Sequence, residues 1–318
     1  MVGKNMAYKT NRGLKIDGKI IEPLGGDMRD DKDHRSLRQS ANRHNGFNVG
    51  QYLQPAPIIF NRWGHNIWLG DMYRGHSAFL ISPGPSFSDI DHDLLRQPGV
   101  LTMGINNVIR SFRTDLWVSV DDPTHFIKST WLDPTIMKFV PFCHAEKNIW
   151  DNEAWEESRI KTGDCPNVWY YRRNEHFITQ QFLFEDTVNW GNHKDYGGGR
   201  SVFMAAIRIL FYLGIRRIFL LGCDFSMDTN NKYCFDQDRT DNSISNNNKA
   251  YELMTERFNL LKPVFIRNNF FIYNCNPNSN LHVFPYVELN DAISMSTEMF
   301  GDVENERTSG LYERKSKE

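Results

Sequence analysis

Several short stretches set small, polar or charged residues where an apolar run stops. The first is Ser82-Pro-Gly-Pro-Ser86, which follows the run Ala78–Ser82 and precedes Ser88-Asp-Ile-Asp91. Gly84 there lets backbone amides approach a phosphate, with Ser86 beside it, and a following helix start would add its positive dipole end. The same residues also make a plain strand-to-helix turn. The second is Gly104-Ile-Asn-Asn107. The side chains of Asn106 and Asn107 both donate and accept, which suits a base, a ribose or a phosphate, and an Asn equally caps the next helix. Asp121-Asp122-Pro123 offers a carboxylate pair for a metal or a ribose, or an Asx turn before proline.

The third stretch, Tyr196-Gly-Gly-Gly-Arg-Ser201, puts bare amides (Gly198, Gly199), a cation (Arg200) and a hydroxyl (Ser201) in front of an apolar helix. An anion fits such a helix start, and few structural needs require three glycines together. The fourth, Leu221-Gly-Cys-Asp-Phe-Ser226, delivers Asp224 at a strand end, placed for a ribose or an acceptor hydroxyl. A polar stretch follows, and its Asp236-Gln-Asp238 has the D-x-D spacing of many metal-dependent glycosyltransferases, so Mg2+ or Mn2+ is a candidate cofactor; a solvated loop has the same composition. The ten histidines form no H-x-x-x-H or H-E-x-x-H pattern, which leaves a zinc hydrolase without support. His193, ahead of the triple glycine, and His282, after the last apolar run, are candidate bases or plain surface histidines.

The elements that must position these residues follow from hydrophobic patterning. Apolar, β-branched or aromatic runs at Ala78–Ser82, Val100–Ile105, Leu116–Val120, Lys138–Phe142, Val168–Tyr171, Arg217–Leu221 and Phe270–Cys275 read as strands. Ser201–Leu213 is apolar nearly all round and stops at Gly214, as a buried helix with a glycine cap does. Asn247–Phe265 is a second helix. Strands alternating with helices imply an α/β, Rossmann-like fold: a mostly parallel sheet with helices on both faces. Residues 1–59 lack periodicity and read as an irregular basic arm, residues 60–300 as the α/β domain with a polar lid at 226–248, and residues 301–318 as a polar tail.

Composition bounds the rest. In 318 residues the hydrophobic fraction is 40%, with 22 Phe, 12 Tyr and 8 Trp, enough for a packed core and too much for a disordered chain. No apolar stretch reaches bilayer length and no secretory apolar segment opens the chain, so the expectation is a soluble, cytoplasmic protein without a membrane span. Five cysteines without a C-x-x-C pair predict free thiols. A net charge of −2 excludes a uniformly basic nucleic-acid coat. Residues 1–65 nevertheless carry 11 Lys+Arg against 6 Asp+Glu.

In order, Ser82-Pro-Gly-Pro-Ser86, Gly104-Ile-Asn-Asn107, Asp121, Gly199-Arg-Ser-Val-Phe-Met-Ala-Ala206 and Tyr212-Leu-Gly-Ile-Arg-Arg-Ile-Phe-Leu-Leu-Gly-Cys-Asp-Phe225 form a series. The series resembles that of the bacterial sialyltransferases of glycosyltransferase family 42, and of the related motility-factor and hydroxymethylpterin diphosphokinase-like proteins, over roughly residues 75–290. The resemblance implies that Gly84, Ser86 and Asn106 hold the nucleotide of a sugar donor. It also implies that Gly199, Arg200 and Ser201 contact donor phosphate or sugar, and that Asp224 lies in the active site. That family commonly has Asn before G-P-S, where this chain has Pro83, and a histidine in its lid, where residues 226–250 have none. The base then falls to Asp224, to a lid carboxylate or to His282.

The function that follows is sugar transfer from a nucleotide-sugar donor to an acceptor hydroxyl. Its alternatives are a nucleotide-dependent diphosphotransferase and a noncatalytic nucleotide-binding module. A glycan is one acceptor class. The basic arm with Trp63 and Trp68 nearby adds hydroxymethylated bases of phage-type DNA as another.

Overall fold

A computed structural model describes residues 8–10, 13–16, 19–21, 58–174, 177–189, 201–229, 232–301, 305–307 and 309–310. Its centre is an eight-stranded sheet. The strands are β4 (Ile59–Phe60), β5 (Ser77–Ile81), β6 (Thr102–Ile105), β7 (Leu116–Val118), β8 (Met137–Pro141), β11 (Val168–Tyr171), β14 (Arg217–Leu221) and β15 (Phe271–Asn274). The order is β15-β14-β5-β6-β7-β8-β11-β4, parallel throughout except for β4 at one edge. Every strand anticipated from the apolar runs is present.

The central strands are continuous apolar runs because both of their faces are covered. On β5 and β14, Ala78, Leu80, Ile218 and Leu220 pack on one face with the helices α2 (Val202–Tyr212) and α3 (Asp241–Arg267). Phe79, Ile81, Phe219 and Leu221 pack on the other with Phe87, Leu95, Val108, Phe112 and Ala292 of α4 (Leu289–Thr297). On that second face the 3₁₀ turns 85–89, 92–96 and 106–110 stand where crossover helices were expected, alongside α4. The short helix α1 (Lys128–Leu132) lies in the β7–β8 connection.

Every residue of α2 is buried. Ser201 caps its start by accepting from the Phe203 amide at 3.0 Å. Gly214, at φ +98, ends it with bonds from Gly214 N to Phe211 O and from Ile215 N to Leu210 O. Any side chain at 214 would press on Arg74 N at 2.9 Å, so both conformation and space demand glycine.

Three further features depart from the sequence reading. The helix expected from Asn247 begins at Asp241, where the Thr240 hydroxyl accepts from Ser243 N, so 241–248 belongs to α3 and not to a polar lid. Within the arm, β1 (Tyr8–Thr10), β2 (Gly13–Ile16) and β3 (Lys19–Ile21) form an antiparallel meander. A hairpin of β9 (Asn148–Asp151) and β10 (Glu156–Lys161) was not anticipated, because its residues are mostly polar and unpatterned. The two-residue strands β12 (Arg173–Asn174) and β13 (Val188–Asn189) pair in parallel beside the main sheet. Among the described residues no helix is long and apolar enough to cross a membrane.

Candidate active site

The chain runs outward from β5 through β6, β7, β8 and β11, then returns to lay β14 on the other side of β5. This reversal is a topological switch point, and the crevice outside the carboxyl ends of β5 and β14 is where open α/β sheets bind ligands. Two sequence stretches meet there, the turn 82–86 after β5 and Gly222-Cys-Asp224 after β14.

Backbone bonds join them, Ser82 N to Leu221 O at 2.8 Å and Gly84 N to Gly222 O at 3.0 Å. The approach is so close that a Cβ on Gly84 would overlap both the Asp224 carboxylate and the Gly222 carbonyl. Gly222 itself, at φ +62, has no room for a side chain against Ser82 and Phe87.

Asp224 is fixed at both carboxylate oxygens. Its Oδ2 accepts from Ser86 Oγ at 3.0 Å and Ser86 N at 3.3 Å, and its Oδ1 accepts from Asn276 Nδ2 at 2.9 Å. The loop after β15 closes on the same point: Asn280 N donates to Asp224 O at 2.9 Å and Ser279 Oγ donates to Cys223 O. Burial pushes the Asp224 carboxyl above the ordinary carboxylate range, against the opposing pull of its hydrogen bonds from Ser86 and Asn276. Asn276 was not singled out from sequence. The only signal was its place two residues past a strand that ends at the same sheet edge.

This geometry corrects the phosphate-cradle reading of Gly84 and Ser86. Pro83 and Pro85 have no N–H, Gly84 N is bonded to Gly222 O, Ser86 N to Asp224 and Phe87 N to Gly84 O. The amides of the turn are therefore spent on protein, and its work is to hold Asp224.

Farther along the edge, Asn106 adopts φ +50. Its main-chain oxygen accepts from Trp117 Nε1 at 2.8 Å and its Oδ1 from Ser119 Oγ at 3.2 Å, while Tyr171 Oη donates to Ser119 O at 2.9 Å. Asn107 Nδ2 reaches His125 O at 3.5 Å. Asp122 resolves to the turn reading. It accepts from Thr124 N and Oγ1 and from Lys147 Nζ at 2.6 Å, and these bonds outweigh burial, the largest single influence, to hold its carboxyl at about 2.

A segment of the expected lid straps the turn. Cys234 N donates to Pro83 O at 2.9 Å, and Cys234 O accepts from Ser88 Oγ at 3.4 Å and Ser111 Oγ at 3.5 Å. Tyr233 and Phe235 stack at 5.3 Å, with Arg239 over the first ring and Arg110 over the second.

Solved structures similar to this one are glycosyltransferases. The sialyltransferase CstII from Campylobacter jejuni, in complex with the substrate analogue CMP-3FNeuAc, matches at TM-score 0.38 and 15% identity over 68% of this chain and 87% of that one. The same enzyme in complex with cytidine-5'-monophosphate matches at TM-score 0.39 and 15% identity, over 68% and 86%. The MAf glycosyltransferase from Magnetospirillum magneticum AMB-1 matches at TM-score 0.39 and 11% identity, covering 74% of this chain and 36% of that one. No family model matches the sequence, and no curated protein does.

The remaining sequence candidates divide. His193, Gly198, Gly199 and Arg200 lie outside the described residues. Ser201 is committed as a helix cap. His282 is exposed, two residues past Asn280, and among the described residues its ring makes no hydrogen bond to Asp224. Asp236 and Asp238 are also exposed, and among the described residues no group of three or more His, Cys, Asp or Glu could hold a metal ion. A D-x-D pair on an exposed segment would hold a divalent cation only with donor phosphate oxygens and water completing its shell.

Proposed function

We propose that this chain is a glycosyltransferase that takes a sugar from a nucleotide-sugar donor and passes it to an acceptor hydroxyl in the β5/β14 crevice. One observation carries the reading: Asp224 stands at the switch point, oriented by Ser86 and Asn276 and made more basic by burial. Oδ2 already takes two bonds from Ser86, whereas Oδ1 takes one, from Asn276, and keeps a second acceptor direction. An acceptor hydroxyl can thus give its proton to Asp224 as its oxygen attacks the sugar carbon, while the bond from that carbon to the departing nucleotide breaks.

The motif series supports the donor class. Asn106 and Asn107 are the candidate nucleoside contacts, and Gly198, Gly199 and Arg200 the candidate stabilisers of the leaving phosphate. No step in this scheme needs a resident metal.

The test is thermal stabilisation by CMP, UDP and GDP and by their sugar conjugates, followed by donor turnover. Asp224→Asn should keep donor binding and lose at least a hundredfold in turnover, as expected for a general base. Absence of stabilisation by every nucleotide, or near-wild-type turnover in Asp224→Asn, would overturn the reading. Cleavage of a nucleoside triphosphate without sugar release would replace it with diphosphate transfer.

A further inference from the structure

The β9–β10 hairpin ends in an exposed pair of indoles. Trp155 is 75% exposed and meets the half-buried Trp150 edge to face, with ring centres 5.8 Å apart and planes at 85°. Trp155 also has φ +57, a conformation that hairpin loops ordinarily give to Gly or Asn and that is strained for a bulky side chain. The ring is thus unfavourable on two counts, its backbone and its exposure, and neither serves the core. Strain retained at an exposed aromatic points to a ligand contact.

The tip is rigid. Asp151 Oδ1 accepts from Glu153 N at 3.0 Å and Ala154 N at 3.2 Å, and Asp151 Oδ2 accepts from Lys128 Nζ at 2.8 Å. Asn152 Oδ1 accepts from Lys128 N at 2.8 Å. β9 packs on the turn 123–125, which follows the carboxyl end of β7 and supplies the His125 carbonyl that Asn107 contacts. The hairpin therefore stands on the ligand side of the sheet. At a strand spacing of about 4.8 Å, β7 lies about 14 Å from β14, a span of a few sugar rings.

The chemistry around the indoles selects the partner. Glu157 pairs across the hairpin with Trp150 and shares its face, and Glu153 and Glu156 are exposed beside it. Among the described residues these three carboxylates make no ion pair. They repel a polyanion and accept hydrogen bonds from hydroxyls. Two indoles bury about 500 Å² at most, below the roughly 800 Å² per side of a stable protein interface. We propose that the Trp150–Trp155 tip is the docking platform for the acceptor, a neutral oligosaccharide, whose C–H faces lie on the indoles and whose hydroxyls donate to Glu157. This assignment rests on the glycosyltransferase reading and fixes its acceptor class.

The experiment is saturation-transfer NMR on the full chain, without donor, using the neutral tetrasaccharides cellotetraose, maltotetraose and lacto-N-neotetraose. A heparin tetrasaccharide, the oligonucleotide dT12 and a basic decapeptide serve as competitors of other classes. The expected result is binding of at least one neutral sugar, with saturation concentrated on ring C–H protons. Trp155→Gly should weaken it at least tenfold without lowering the melting temperature, since glycine relieves the φ. Trp155→Tyr should stay within about threefold, and Trp63→Ala, another exposed tryptophan, should change nothing. Binding of none of the neutral sugars, preference for heparin, dT12 or the peptide, or unchanged binding in Trp155→Gly overturns the proposal. Nucleotide stabilisation without sugar binding sinks this platform alone; sugar binding without any nucleotide effect sinks the crevice reading instead.

Discussion

Gly84 and Asp224 are 140 positions apart in the chain and so close in space that a methyl group on the first would overlap a carboxylate oxygen of the second. The contact joins the turn after β5 to the end of β14 across the switch point. It makes the glycine a structural requirement for the position of the Asp224 carboxylate.

Gly84→Ala should accordingly destabilise the fold by about 2–4 kcal/mol, because the methyl meets backbone at Gly222 as well as the carboxylate. Chemical denaturation of Gly84→Ala checks this, and stability equal to the parent would contradict the close approach.

Asp224 should write a slope into the pH dependence of stability. Its folded carboxyl titrates above the ordinary value of 3.8, so the folded state keeps a proton that the unfolded chain has released. Stability should therefore fall as pH climbs from about 3.8 through the raised folded value, and level off above it. Asp224→Asn should lack that segment of the profile; an identical slope in the variant would show that Asp224 is not the group responsible.

His144 acts with the opposite sign. It is 4% exposed, and burial first, then Arg173 and Lys147, push its imidazole down to about 3. Between about 6.5 and 3 the unfolded chain binds the proton and the folded one refuses it, so stability is full above 6.5 and is lost on acidification. The loss amounts to ~4 kcal/mol by the lower end. Urea titrations of parent and His144→Gln at several pH values should show a shallower acid loss in the variant.

Ser201→Ala should cost about 1 kcal/mol by leaving the Phe203 amide without its cap. Ser201→Asn or Ser201→Asp should restore most of it. A thermal melt reads the difference directly, and a neutral Ser201→Ala would deny the capping role.

The sequence by itself determined the sheet. Runs such as Phe79-Leu-Ile81 and Ile218-Phe-Leu-Leu221 are short, continuous and rich in aromatic or β-branched residues, as strands buried on both faces are, and Ser201 with Gly214 brackets α2 by capping chemistry that is local. It also placed Asp224 at a strand end, which is again a local fact. The neighbours of that carboxylate were decided only by tertiary structure. Strand order sets β14 beside β5, and nothing in a residue's own surroundings encodes which strand will lie next to it. The partnership of Asp224 with Ser86 and Asn276, the exclusion of any side chain at Gly84 and the loss of the turn's amides to protein bonds all follow from that order. The Trp150–Trp155 tip was invisible for a related reason: its hairpin is held by Asp151 and Lys128 side-chain bonds across 23 residues of chain, and such bonds leave no periodic pattern to read.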